Sequence, residues 1–277
     1  MYASTVRGLL VRGMLAGLIA GLFAFAVAYV VGEPPVRGSI AVEEAAAAKD
    51  AAAAPSGHAG HGDAAPGEAA AEEEEELVSR PVQSTAGLAT GVLVYGVALG
   101  GIASLAFSFA LGRVGRFSPR ATAALTAGGA FATVYLVPFL KYPATPPAVG
   151  NPDTIGQRTT LFFLMILLSV LLGVGAVILG RRLAPRLGNW NATLAAGAGF
   201  VVATGLAFAV LPANDDAVKP EFPAALLWEF RVASLAVQLV LWVVFAVVFG
   251  VLAQRLLATR TDPAAAATPA QESPALG

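Results

Sequence analysis

Cysteine is absent from the 277 residues, histidine occurs twice, and only 13% of the residues are charged. Without cysteine there is no disulfide, no thiolate metal ligand and no haem attachment motif. Two histidines in a low-complexity stretch cannot build a buried zinc-hydrolase or bis-histidine haem site, and no HExxH occurs. None of the three lysines, Lys49, Lys141 and Lys219, completes a GxxxxGK[ST] pattern, which excludes ATP hydrolysis by a phosphate loop. Basic residues this few, spread over short connectors, exclude nucleic acid as a partner. No nucleophile and base stand at a recognisable spacing, so the chain reads as a non-enzyme with no permanently bound cofactor.

Apolar residues are plentiful: 57% of the chain is hydrophobic and the mean hydropathy is +0.72. Six stretches run without Asp, Glu, Lys, Arg or His: 13–32, 81–112, 121–140, 159–180, 187–214 and 232–254. Each is long enough to cross a hydrocarbon core of about 30 Å as a helix. The alternation expected of a membrane barrel is absent. The expectation is an all-α polytopic membrane protein of six helices, with the lipid bilayer as its first partner. Arg7, Arg12, Arg113, Arg116, Arg120, Arg181, Arg182, Arg186, Arg255 and Arg260 all fall on one side of that arrangement. The positive-inside rule makes that side cytoplasmic and places both termini there. All acidic residues except Asp262 and Glu272 then lie outside or at outer helix ends, giving an anionic outer face. The first apolar run exceeds the 7–15 residues of a signal-peptide core and reads as an uncleaved helix.

The chain divides into a first helix with a cytoplasmic N-terminus (1–35), a low-complexity acidic outer loop (36–80), a five-helix bundle (81–254) and a disordered cytoplasmic tail (255–277). Gly13, Gly17 and Gly21 recur every four residues in the first helix, and Gly87, Gly91, Gly96 and Gly100 supply similar faces in the second. Such seams let backbones approach, within one subunit or against a partner. The stretch "FLKYPATPPAVGNPDTIGQRT" carries four prolines and two glycines, and reads as an outer cap with a definite shape rather than a slack tether. Pro138 is expected to bend or unwind the helix just before it.

Candidate metal ligands are Glu33, His58, His61, Asp153, Asp215 and Glu229. Imidazole and carboxylate suit borderline divalent metals. Lys141, Tyr142, Arg158 and Arg231 stand around the same outer mouth, and Arg231, Ser234 and Gln238 share one helical face that descends into the membrane. Two readings remain open: the carboxylates converge on a vestibule for a cation, or these residues are interfacial ion pairs and caps. The two histidines are equally compatible with weak metal collection and with a solvated tether.

The segments "RGLLVRGMLAGLIAGLFAFAVAYVVGEPPV", "LVSRPVQSTAGLATGVLVYGVALGG", "VYLVPFLKYPATPPAVGNPDTIGQRT" and "LLWEFRVASLAVQLVLW" resemble, in wording and order, the CbtA family of bacterial cobalt transporter subunits. Thr145 stands where the family form "YPANPP" has Asn, and the first outer loop is poorer in histidine than is common in the family. The resemblance implies a subunit in the bacterial cytoplasmic membrane that takes up Co2+ for cobalamin synthesis, beside a small histidine-bearing CbtB-type membrane partner. The alternative is a non-conducting scaffold that binds a partner subunit.

Overall fold

A computed structural model describes residues 3–53, 79–147, 149, 154–214, 218 and 222–261. The helices are α1 (Ala3–Val27), α2 (Glu33–Ala53), α3 (Arg80–Val82), α4 (Leu88–Ala110), α5 (Pro119–Ala130), α6 (Val137–Lys141), α7 (Ile155–Val210) and α8 (Ala224–Thr261). Three π-helical turns, Ala28–Gly32, Gln83–Gly87 and Phe131–Leu136, join α1 to α2, α3 to α4 and α5 to α6 into continuous rods. Among the described residues there is no strand, and five helices are long and apolar enough to cross a membrane.

The fourth of these, α7, is 56 residues long and is broken at Gly188, whose φ of 74° and ψ of 163° are non-helical. A positive φ favours glycine, and Pro185 three residues earlier has no N–H with which to continue the ladder. The two arms fold back on each other. Gly180 packs against Ala192 and Ala196, Gly199 against Leu179, and Met165 shares a cluster with Ala207 and Phe208. The two apolar runs expected at 159–180 and 187–214 are therefore the arms of one helical hairpin.

At the centre lies α1, with α4 on one side and α8 on the other; α5 packs on α8, and α7 packs on the Phe131–Leu136 turn and α6. Small residues set this arrangement. The buried stripe of α1 is Thr5, Leu9, Gly13, Ala16, Gly17, Ala20, Gly21 and Ala24, so the neighbouring backbones come close and dispersion between main chains replaces the bulk of side chains. Gly17 lies on the carbonyl of Gly96, Gly13 on Gly100 and Ser104, and Gly21 on Val92 and Leu93. Towards one end the core turns aromatic: Phe107 meets Phe249 edge-on at 5.0 Å, and Phe249 stacks on Phe245 at 5.2 Å. At that same end Gly8 touches Leu256 and Gly250 touches Arg120, so the start of α1, the finish of α8 and the arginine connector before α5 lie together. We call it the basic end.

Three boundaries differ from those expected. Residues 36–53, assigned above to the outer loop, continue the first helix; 54–78 lie outside the described residues. Alanine is the strongest helix former, and the run after Val42 supplies it in series. The second difference concerns Pro138, which does not unwind its helix; the pair Pro34–Pro35 is likewise helical. In each case a π turn stands two residues before the first proline, and the bonds Glu33 N–H to Ala28 O and Val137 N–H to Ala132 O span five residues. The wider turn holds the carbonyl four residues back, which would clash with the ring, where no bond from the proline is needed. Thr133 O in the second turn accepts from the buried Ser169 hydroxyl of α7. Third, α8 runs to Thr261, so residues 255–261 are helix rather than tail.

Candidate functional site

Opposite the basic end, the connector after α6 is tied to three other elements. Lys141, ending α6, donates through Nζ to Phe208 O at 2.8 Å. Phe208 lies in the last turn of α7, where carbonyls have no helical partner and the dipole favours a cation. Tyr142 donates from its hydroxyl to Pro212 O at 2.9 Å and holds the chain just beyond that turn. Arg231 of α8 donates through Nε to Ala144 O at 3.4 Å, and the fully buried Ser39 of α2 donates to Pro147 O. Val149 is also fully buried. The proline-rich stretch is thus a cap whose carbonyls are read by side chains from α2 and α8.

Burial raises the pKa of the Tyr142 phenol above its ordinary value, so the neutral, donating form is the folded form. The sign follows from that shift. The contribution of Tyr142 is fully present below the unfolded pKa near 10 and fades as pH rises beyond it. Replacing Lys141 with Met strands the Phe208 carbonyl. This should cost about 1.5–3 kcal/mol, read as a lowered unfolding temperature in detergent and faster proteolysis within 142–149.

The candidate carboxylates do not converge among the described residues. Glu33 is 5% exposed, but its Oε1 accepts from Arg80 Nη2 at 2.7 Å and lies 3.5 Å from Arg37 Nε. Two guanidiniums already neutralise this carboxylate, and the pair joins α2 to α3. In this structure the candidate ligand Glu33 serves as a helix tie. Glu229 is exposed near the start of α8 and takes part in none of the ion pairs among the described residues. His58, His61, Asp153 and Asp215 lie outside the described residues, within which no group of three or more His, Asp or Glu is close enough to hold a metal. Arg158 stands half-buried in the first turn of α7.

Of the polar stripe on α8, Ser234 donates to the Phe230 carbonyl of its own helix, so its hydroxyl is occupied. Gln238 reaches across to α4, where Nε2 donates to the Tyr95 hydroxyl at 3.4 Å. Nothing in the sequence announces that pairing, since Tyr95 is one aromatic residue among many in apolar runs. Of the glycines, Gly13, Gly17, Gly21, Gly96 and Gly100 form the α1–α4 seam. Gly91 faces open space and Gly87 meets only Val82 O at 3.6 Å, within its own rod. Both are exposed: they sit on faces of their rod turned away from the seam, although Val92, beside Gly91, meets Gly21.

The family model described as "Probable cobalt transporter subunit (CbtA)" matches residues 6–254. The chain belongs to the CbtA family. That stretch of CbtA sequence takes in every apolar helix and the cap, leaving out only the two ends. No curated protein and no solved structure matches this CbtA chain.

Proposed function

We propose that this chain is the membrane-embedded subunit of a Co2+ uptake system in a bacterial cytoplasmic membrane, crossing it six times with both termini inside. The family match over residues 6–254 carries the reading. The topology draws on the fold: α7 counts as two crossings because its arms fold back at Gly188, and the ends of α1 and α8 meet beside the arginine connector. In this orientation the cap faces outward, over the mouth of the route. Co2+ accepts oxygen and nitrogen ligands, and raw affinity separates it poorly from Ni2+ or Zn2+, so geometry or a partner subunit supplies selectivity. The imported ion feeds cobalamin synthesis, and energy comes from outside this chain, which has no phosphate loop.

Deleting the gene should lower cellular cobalt, and restoring it should bring cobalt back. Unchanged cobalt under conditions of expression would overturn the reading. A second reading has one observation in its favour, the lack of a His/Asp/Glu cluster among the described residues. It makes the chain a non-conducting scaffold for a partner such as a small histidine-bearing CbtB-type subunit. Saturable Co2+ entry into liposomes holding only this chain, with Ni2+, Zn2+ and Mg2+ as competitors, would exclude the scaffold.

A further inference from the structure

Midway along α8, two buried polar atoms have no partner among the described residues: Gln238 Oε1, an acceptor, and Trp242 Nε1, a donor. They sit four residues apart, one turn along the same face, and Trp242 is only 4% exposed. An unpaired amide or indole costs free energy in hydrocarbon, so polar groups at this depth face a wet or functional interior. Tyr95 lies opposite Gln238 on α4, where its hydroxyl accepts from the Gln238 amide. Two helices, α4 and α8, therefore bring uncharged oxygen atoms to one level. Further along, Phe107, Phe245 and Phe249 close the core towards the basic end.

We propose that Gln238 and Tyr95 line a hydrated mid-membrane pocket that opens towards the cap, receives a hydrated divalent cation through its water shell, and is shut from the basic end by the three phenylalanines. The pocket deepens the uptake reading and rests on it for the identity of the ion. Its chemistry is that of a way-station. Neutral carbonyl and hydroxyl oxygens accept from the waters of a hard or borderline cation without stripping them, so they hold it weakly enough to let it go. A water that accepts from Trp242 N–H and donates to Gln238 Oε1 satisfies both unpaired atoms.

The chain contains no cysteine, so each single introduced cysteine reports alone. In sealed vesicles with the cap end outward, a membrane-impermeant cationic methanethiosulfonate should label Gln238→Cys about tenfold faster than Leu239→Cys or Phe249→Cys, because only a hydrated thiol forms thiolate. Leu239 is exposed on the outer face of α8, and Phe249 is fully buried. To read the cation, Ser234→Cys leaves the native pocket in place. Millimolar Co2+ should slow its labelling, and the added change Gln238→Leu or Tyr95→Phe should remove that protection. Equal rates at 238 and 239 while Glu229→Cys reacts, or Co2+ protection that survives both added changes, would overturn the pocket. Labelling and protection without cobalt uptake in the same vesicles would uphold the pocket and sink the transport reading, whereas uptake without protection would sink the pocket alone.

Discussion

Gly17→Ala should destabilise the protein by about 3 kcal/mol, at the upper end of the usual cost of overpacking, whereas Gly91→Ala should stabilise it by up to about 1 kcal/mol through helix propensity. The same methyl acts with opposite sign because of what it meets. A Cβ on Gly17 collides with the Gly96 carbonyl and lies 3.1 Å from Gly100 Cα, while one on Gly91 meets nothing within 4 Å. Neither obstacle at Gly17 is the end of a flexible side chain, so relief demands that α1 and α4 move apart. Separation would also open the contacts of Gly13 with Gly100 and Ser104 and of Gly21 with Val92 and Leu93. The reciprocal change, Gly96→Ala, drives a Cβ to 2.5 Å from Gly17 O and should cost a similar amount. Thermal unfolding of the detergent-solubilised variants checks both signs. An unchanged midpoint for Gly17→Ala would mean that the seam is slack.

That contrast marks what the sequence can and cannot disclose. The apolar runs give the membrane class and nearly every helix, because a bilayer admits no other use for twenty uncharged residues. Spacing also places Gly13, Gly17 and Gly21 on one face of α1. It does not say which of Gly87, Gly91, Gly96 and Gly100 they meet, since a four-residue period has no absolute level. The prolines mislead in a different way. Pro138 reads as a bend or an unwinding, yet it follows a π turn, as Pro34 and Pro35 do, and a single extra residue in a helical turn leaves no mark in hydrophobic periodicity. The proline-rich cap was legible as a shaped surface; its ties were not, because Ser39 to Pro147 and Arg231 to Ala144 join partners 108 and 87 residues apart. Gln238 stands out as a strongly polar residue deep in an apolar run, but only the packing of α8 beside α4 supplies Tyr95.

Glu33→Gln should lower stability by about 3 kcal/mol, the low end of what breaking a buried ion pair costs, since Arg80 retains about a third of its side-chain exposure. The pair joins residues 47 apart in the chain and fixes the first turn of α2 to α3. Removing the carboxylate leaves the Arg80 guanidinium, whose Nε has no partner among the described residues, against a low-dielectric wall. Arg80→Met alone leaves Glu33 buried with only Arg37, more exposed and 3.5 Å away. The double change Glu33→Gln with Arg80→Met should therefore cost less than the sum of the two, with a coupling of about 1–3 kcal/mol in a double-mutant cycle. A metal-ligand role for Glu33 makes a different forecast: Glu33→Gln would depress cobalt uptake even in protein of normal stability, and Arg80→Met would free the carboxylate and strengthen cobalt binding. With both guanidiniums already on Oε1, we expect stability to fall in each single variant and cobalt binding to gain nothing from Arg80→Met. Strengthened cobalt binding in Arg80→Met would return Glu33 to the route.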